Sequence, residues 1–153
     1  MALEYELTLG GSTPAEQVLL RALPDPSERL SGPEFPLSVS LKDRYGFSVS
    51  VWTGRDRYIA VESDDGLWEW EPADCTILTL TMDKFAEPGW KVINMLTVVR
   101  RVLETGPEDA VLVLNSDNLL LARFGGIVTK HRRDAWWSHY AGADAIIGGS
   151  GRR

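Results

Sequence analysis

Apolar residues at every second position recur along most of this chain. A period of two fits a strand that is wet on one face and buried on the other. Residues 3–9, LEYELTL, set Leu3, Tyr5, Leu7 and Leu9 against Glu4, Glu6 and Thr8. Leu37, Val39 and Leu41 alternate with serines, Phe47, Val49 and Val51 do the same, and Ile59 and Val61 follow. DRYG and TGRD separate these runs as turns, so the region reads as a meander of three short strands. Residues 76–82, TILTLTM, are β-branched and apolar enough for a further strand. Two apolar runs around NSDN, in AVLVLNSDNLLLARF, predict a hairpin, and GGIVTKH either extends that pairing or starts another strand.

Two stretches break the alternation. In GGSTPAE, Thr13 is placed to cap a helix, Pro14 suits its first position and Glu16 completes a T-x-x-E capping box. Val18, Leu19, Ala22 and Leu23 give that helix its apolar stripe, and Pro24 ends it. In EPGWKVINMLTVVRRVLETGP, Val92, Leu96, Val99 and Leu103 follow helical spacing with Met95 and Val102 beside them, and Gly106 and Pro107 supply the stop. Between the first helix and the second run of strands, residues 24–36 hold four prolines and read as a loop. The order is β-α-β-β-β-β-α-β-β. It predicts an α+β fold of two layers, a mainly antiparallel sheet of about six to seven strands with two helices packed on one face. Residues 1–142 are expected to form a single domain, with 143–153, ending in IIGGSGRR, as a flexible C-terminal tail.

A chain of 153 residues is long enough to bury roughly 70% of its unfolded surface. With 44% hydrophobic and 25% charged residues it has the composition of a globular domain. No apolar run approaches the ~20 residues that span a bilayer, and the N-terminus lacks the basic-then-apolar pattern of a signal peptide. Cys75, the single cysteine, has no internal partner and is read as a small buried residue. These features predict a cytoplasmic protein without a membrane partner. The net charge of -6 argues against direct nucleic-acid binding, which needs arrays of Lys and Arg.

The acidity is concentrated. ESDDGLWEWEPADC, residues 62–75, carries Glu62, Asp64, Asp65, Glu69, Glu71 and Asp74 with no Lys or Arg, and Trp68 and Trp70 lie at its centre. SDDG lacks the spacing of a calcium loop and reads as a hairpin turn, while His131 and His139 have no neighbouring Cys ligand. Neither a metal site nor a cofactor is predicted. On a strand, Glu69 and Glu71 share one face and the two indoles the other, which gives a wet acidic edge backed by tryptophans. A carboxylate pair could also serve as acid and base, but one member would need a pocket that raises its pKa. No G-x-S-x-G elbow and no phosphate loop occurs, and Asp134, Ser138 and His139 crowd together as real triads do not. The basic counterpart is KHRRDAWWSHYAG, residues 130–142. Trp136 and Trp137 there either close the core's end or join Lys130, Arg132 and Arg133 in an aromatic-basic surface for nucleic acid, and a protein partner is compatible too.

The strand-DKF-helix entry at 77–96, the DAVLVLN strand at 109–115, the LLLARFGG return at 119–126 and the opening MALEYELTLGG resemble a known family. They are similar to the small immunity proteins of bacterial polymorphic-toxin systems, in particular the Sit-type (swarming-inhibition) immunity family. The resemblance implies a non-enzymatic cytoplasmic protein that binds and neutralises a cognate toxin. It transfers no functional residue, since the matching segments are fold-supporting apolar patterns. On physical grounds the expected partner-binding residues are Glu62, Asp64, Asp65, Trp68, Glu69, Glu71, Asp74, Trp136 and Trp137. An acidic, Trp-bearing face suits a basic toxin, for which a nuclease is one candidate. The alternatives are a small enzyme using Glu69, Glu71 or His139 as acid and base, and an adaptor domain in a larger assembly.

Overall fold

A computed structural model describes residues 3–28 and 37–151; most of the proline-rich stretch expected as a loop, residues 29–36, lies outside them. The described residues form one sheet of ten strands with helices against it. In chain order these are β1 (Glu4–Gly10), α1 (Ala15–Ala22), β2 (Leu37–Leu41), β3 (Phe47–Arg55), β4 (Ile59–Ser63), β5 (Gly66–Trp70), β6 (Asp74–Met82), α2 (Pro88–Glu104), β7 (Ala110–Leu114), β8 (Asn118–Phe124), β9 (Ile127–Lys130), α3 (Ala143–Ile146) and β10 (Ser150–Gly151). The main path runs β10-β9-β8-β7-β1-β6-β3-β2 and is antiparallel except where the two-residue β10 joins β9. The class is α+β as expected. The strand count exceeds the expected six to seven because β5 and β10 join the sheet and β9 is a strand of its own.

Each alternating run buries its predicted face. Tyr5, Leu7 and Leu9 of β1, Val49 and Val51 of β3, and Leu78 and Leu80 of β6 meet the helices in the main core. From α2 come Val92, Met95, Leu96, Val99, Val102 and Leu103, the stripe that the spacing picks out. Pro88 holds the first turn of α2, and the Glu87 carboxylate accepts hydrogen bonds from the Gly89 and Trp90 amides at 2.9 and 2.6 Å. Segment 143–151, expected as a tail, carries α3 and β10, and Ala143 and Ile147 are buried in the same core.

Two expectations are corrected. The TGRD turn does not interrupt the chain where expected, because β3 continues through Arg55 and turns at Asp56, whose φ is 50°. Nor do β2, β3 and β4 form a meander. β4 leaves β3, pairs with β5, and folds with it over the sheet face opposite the helices. There Ile59 and Val61 pack on Val111, Val113, Leu119 and Ala122.

The capping box is corrected as well. α1 begins after Pro14 with no side-chain cap, and the Thr13 hydroxyl donates instead to Glu108 Oε2 at 2.9 Å. A carboxylate is a stronger acceptor than water, and this one also binds Arg21 through Nη1 and Nη2 at 2.6 and 2.8 Å. The Arg21 guanidinium holds the Glu108 carboxyl down at about 2, below its ordinary 4.5. A depressed carboxyl stabilises the fold above its unfolded pKa, so this contribution is complete above about 4.5 and vanishes as pH falls towards 2. Urea titrations through that window should show the midpoint of the parent protein falling with acid, and a Glu108→Gln variant falling less steeply. Parallel slopes would contradict the assignment.

Candidate functional site

The β4–β5 hairpin is built by its own sequence. Register pairs Ile59 with Trp70, Val61 with Trp68 and Ser63 with Gly66, so Asp64 and Asp65 form a two-residue turn. Gly66 closes it at φ 98°, a conformation costly for residues with a Cβ. Gly66→Ala should therefore destabilise the hairpin by about 1–2 kcal/mol, seen as faster amide exchange in β4 and β5 with the helices unaffected. Unchanged exchange would mean that the turn adapts.

Alternation then sorts the side chains. Trp68 and Trp70 face inward, half-buried, with ring centroids 6.0 and 5.3 Å from Phe124. Outward lie Tyr58, Ala60, Glu62, Leu67 and Glu69, all exposed, with exposed Glu71 next beyond the strand. Tyr58 is 57% and Leu67 65% exposed, so apolar surface sits among carboxylates. The Tyr58 hydroxyl donates to Glu69 Oε2 at 2.6 Å, and this hydrogen bond to the carboxylate pushes the phenol pKa up.

The expected partner-binding residues are thus divided. Glu62, Glu69 and Glu71 share the outward surface, and Asp65 is exposed at the hairpin tip. Trp68 belongs to the layer beneath. Asp64 is turned to the 130–133 segment: its Oδ1 accepts from the Arg132 amide at 3.0 Å, and its own amide donates to His131 Nδ1 at 3.3 Å. Asp74 opens β6 opposite Arg55 of β3, with Nε and Oδ1 3.5 Å apart.

Trp136 and Trp137 are a correction, because they are only 7% and 0% exposed and lie in the main core, on the sheet face away from the hairpin. The Trp137 indole donates to the Leu120 and His131 carbonyls. The basic stretch around them is drawn inward as well. Lys130, 1% exposed, donates to Asp144 Oδ1 at 2.9 Å and stands over the Trp137 ring, and Arg133 pairs with Asp144 at 3.0 Å.

Tyr58 and Leu67 were missed although period two marks them, since they fall in step with Glu62 and Glu69. Also missed was the ion pair beneath the hairpin, Arg57 Nη2 to Glu6 Oε2 at 2.8 Å, with the guanidinium 5.0 Å from the Trp52 ring centroid. That contact joins residues 51 positions apart.

Glu87, Glu108 and Asp144 all have carboxyl pKa values below the usual range, lowered by hydrogen bonds from the Trp90 amide, Arg21 and Lys130 respectively. His139 sits exposed in a short turn, its ring 4.9 Å from that of Tyr140. Cys75 is buried, which pushes its thiol pKa up, with Sγ 3.7 Å from the Gly54 carbonyl. Among the described residues no cluster of three metal-ligating side chains occurs, and no helix is long and apolar enough to cross a membrane.

No curated protein and no solved structure matches the chain. Residues 3–141 match the family described as SitI3-like, a span that takes in both helices α1 and α2, the hairpin and β1 to β9. The chain belongs to the SitI3-like family.

Proposed function

We propose that this protein is an immunity protein that binds and neutralises a cognate toxin in the cytoplasm without chemistry of its own, and that the outward face of the β4–β5 hairpin is its contact surface. Family membership supports the first part. The observation that carries the second is the pairing of exposed Tyr58 and Leu67 with Glu62, Glu69 and Glu71, with no Lys or Arg from 58 to 71. Apolar anchors inside a charged rim are what protein interfaces use, and an acidic rim steers a basic partner. The partner is accordingly a basic protein, with nucleases the favoured class because they must hold phosphates.

The direct test is co-expression with each candidate toxin found among the proteins encoded near the gene. The parent chain should restore growth and co-purify with the toxin as a complex. Growth arrest despite full expression, with no complex formed by the purified proteins, would contradict the immunity reading.

A further inference from the structure

A cleft of about 160 Å³ lies between the hairpin and the sheet beneath it, walled by Ile59, Val61 and Val113 and edged by Tyr58 and Ala60. Small-molecule sites run from about 300 to 1,000 Å³, so this one has room for a single side chain. Its floor is polar. Glu6 and Thr8 rise from β1, Arg57 enters from the loop before β4, and Ser116 comes from the β7–β8 turn. Glu6 Oε2 accepts from Arg57 Nη2 at 2.8 Å, and its Oε1 accepts from Ser116 Oγ only at 3.3 Å, a long bond for a hydroxyl on a carboxylate. Ser116 holds that place at φ 63°, left-handed backbone for a residue with a Cβ.

The backbone of β4 adds an acceptor. The Glu62 amide donates to the Asp117 carbonyl, so Glu62 turns its backbone groups away from β5. Two residues earlier in the same strand, Ala60 points its N–H and C=O to that same side, towards the cleft. Below the point where Glu62 meets Asn118, β4 has no strand partner on this side among the described residues.

We propose that this cleft is an anchor pocket for one arginine side chain of the protein that docks on the hairpin, an inference that rests on the binding reading above. The charge argument is local. Within the lining Glu6 and Arg57 offset each other, so the excess negative charge comes from the adjoining hairpin face, where Glu69 accepts from Tyr58 and lies opposite Ala60, and exposed Glu62 and Glu71 flank it. The acceptors are spread apart: a carboxylate oxygen, a strand carbonyl and a hydroxyl. That spread matches the planar fork of a guanidinium with five donors better than the compact ammonium of lysine. The apolar walls accommodate the methylene stem, and the exposed Tyr58 ring at the mouth offers a face on which the cation can stack.

The test needs no toxin for its first arm. Amide shifts of the parent protein are followed while Nα-acetyl-arginine amide is added, with the citrulline and lysine analogues in parallel. Saturable shifts at Thr8, Ala60, Val113 and Ser116 are expected with arginine, weaker ones with lysine and least with neutral citrulline. Ala60→Trp, at an exposed position, should block them, and Glu6→Gln should erase the preference of arginine over citrulline. Absence of saturation, or equal response to citrulline, overturns the pocket. The second arm measures toxin affinity. Ala60→Trp should weaken it about tenfold or more, as loss of a central anchor does. If Ala60→Trp leaves affinity intact while Glu62, Glu69 and Glu71 substitutions weaken it, the pocket is refuted and the hairpin reading stands. If neither set matters, both fall.

Discussion

Trp137→Ala should destabilise the whole fold rather than weaken any surface. Trp137 is fully buried, its indole N–H donates to the Leu120 and His131 carbonyls, and its ring lies 4.6 Å beneath the Lys130 ammonium and 4.9 Å from Trp136. Truncating a buried Trp costs about 3–5 kcal/mol. Here two carbonyls also lose their donor, which puts the expected loss at the upper end, about 5 kcal/mol. That compares with a total stability of about 5–15 kcal/mol for a domain, so the variant would be marginal at room temperature. A shift of the urea midpoint at constant slope would confirm the assignment; a loss of under about 1 kcal/mol would show that the indole is not structural.

Arg123→Met is the second large effect. This arginine on β8 is only 7% exposed, and among the described residues its hydrogen-bond partners are main-chain carbonyls rather than carboxylates. Its guanidinium donates to three main-chain carbonyls: Leu103 in the last turn of α2, Gly106 just beyond it, and Glu108 at 2.7 and 3.0 Å. Helix ends leave carbonyls unpaired, and Arg123 reaches that of Leu103 in a buried bond and those of Gly106 and Glu108 in partly buried ones. Hydrogen bonds to a charged donor are worth about 1.5–3 kcal/mol each and buried orphan carbonyls cost more than exposed ones. Since methionine replaces the volume but none of the donors, a loss of about 3–4 kcal/mol is expected. Burial pushes the Arg123 pKa down, but the ordinary value is so high that the charge persists. Arg123→Lys should recover only part of the loss, because one ammonium cannot reach three carbonyls laid out for a fork. Full rescue by lysine would contradict that account.

How much of this was legible depends on distance along the chain. The α2 stripe, the alternation in β1 and β3, and the turns at SDDG and NSDN are written in neighbouring residues, and the folded protein uses them as read. Period two also tells which side chains of the hairpin share a face. It does not tell which face of which sheet the hairpin covers, so the meander was the natural expectation and the fold-over was not. Thr13 shows the same limit. Its local role as a helix cap was overridden by Glu108, 95 residues away. Whether Lys130 and Arg133 flank core-closing indoles or an exposed surface is open in the local sequence, and only Asp144, 14 and 11 residues on, turns the segment inward. Within the acidic window the same logic separates the residues. Glu62, Glu69 and Glu71 point outward by simple alternation, whereas Asp64 is committed to the Arg132 amide by a contact 68 residues long.

The central claim is that the outward hairpin face meets a basic partner. It is tested most directly by measuring toxin affinity for the parent chain and for the Glu62→Gln, Glu69→Gln, Glu71→Gln triple variant at low and high salt. All three positions are exposed, so the variant should keep the parent's unfolding midpoint. The account predicts affinity lower by about tenfold or more at low salt, a slower association rate and a flattened salt dependence. Equal affinity and an equal salt slope in a folded triple variant would contradict it.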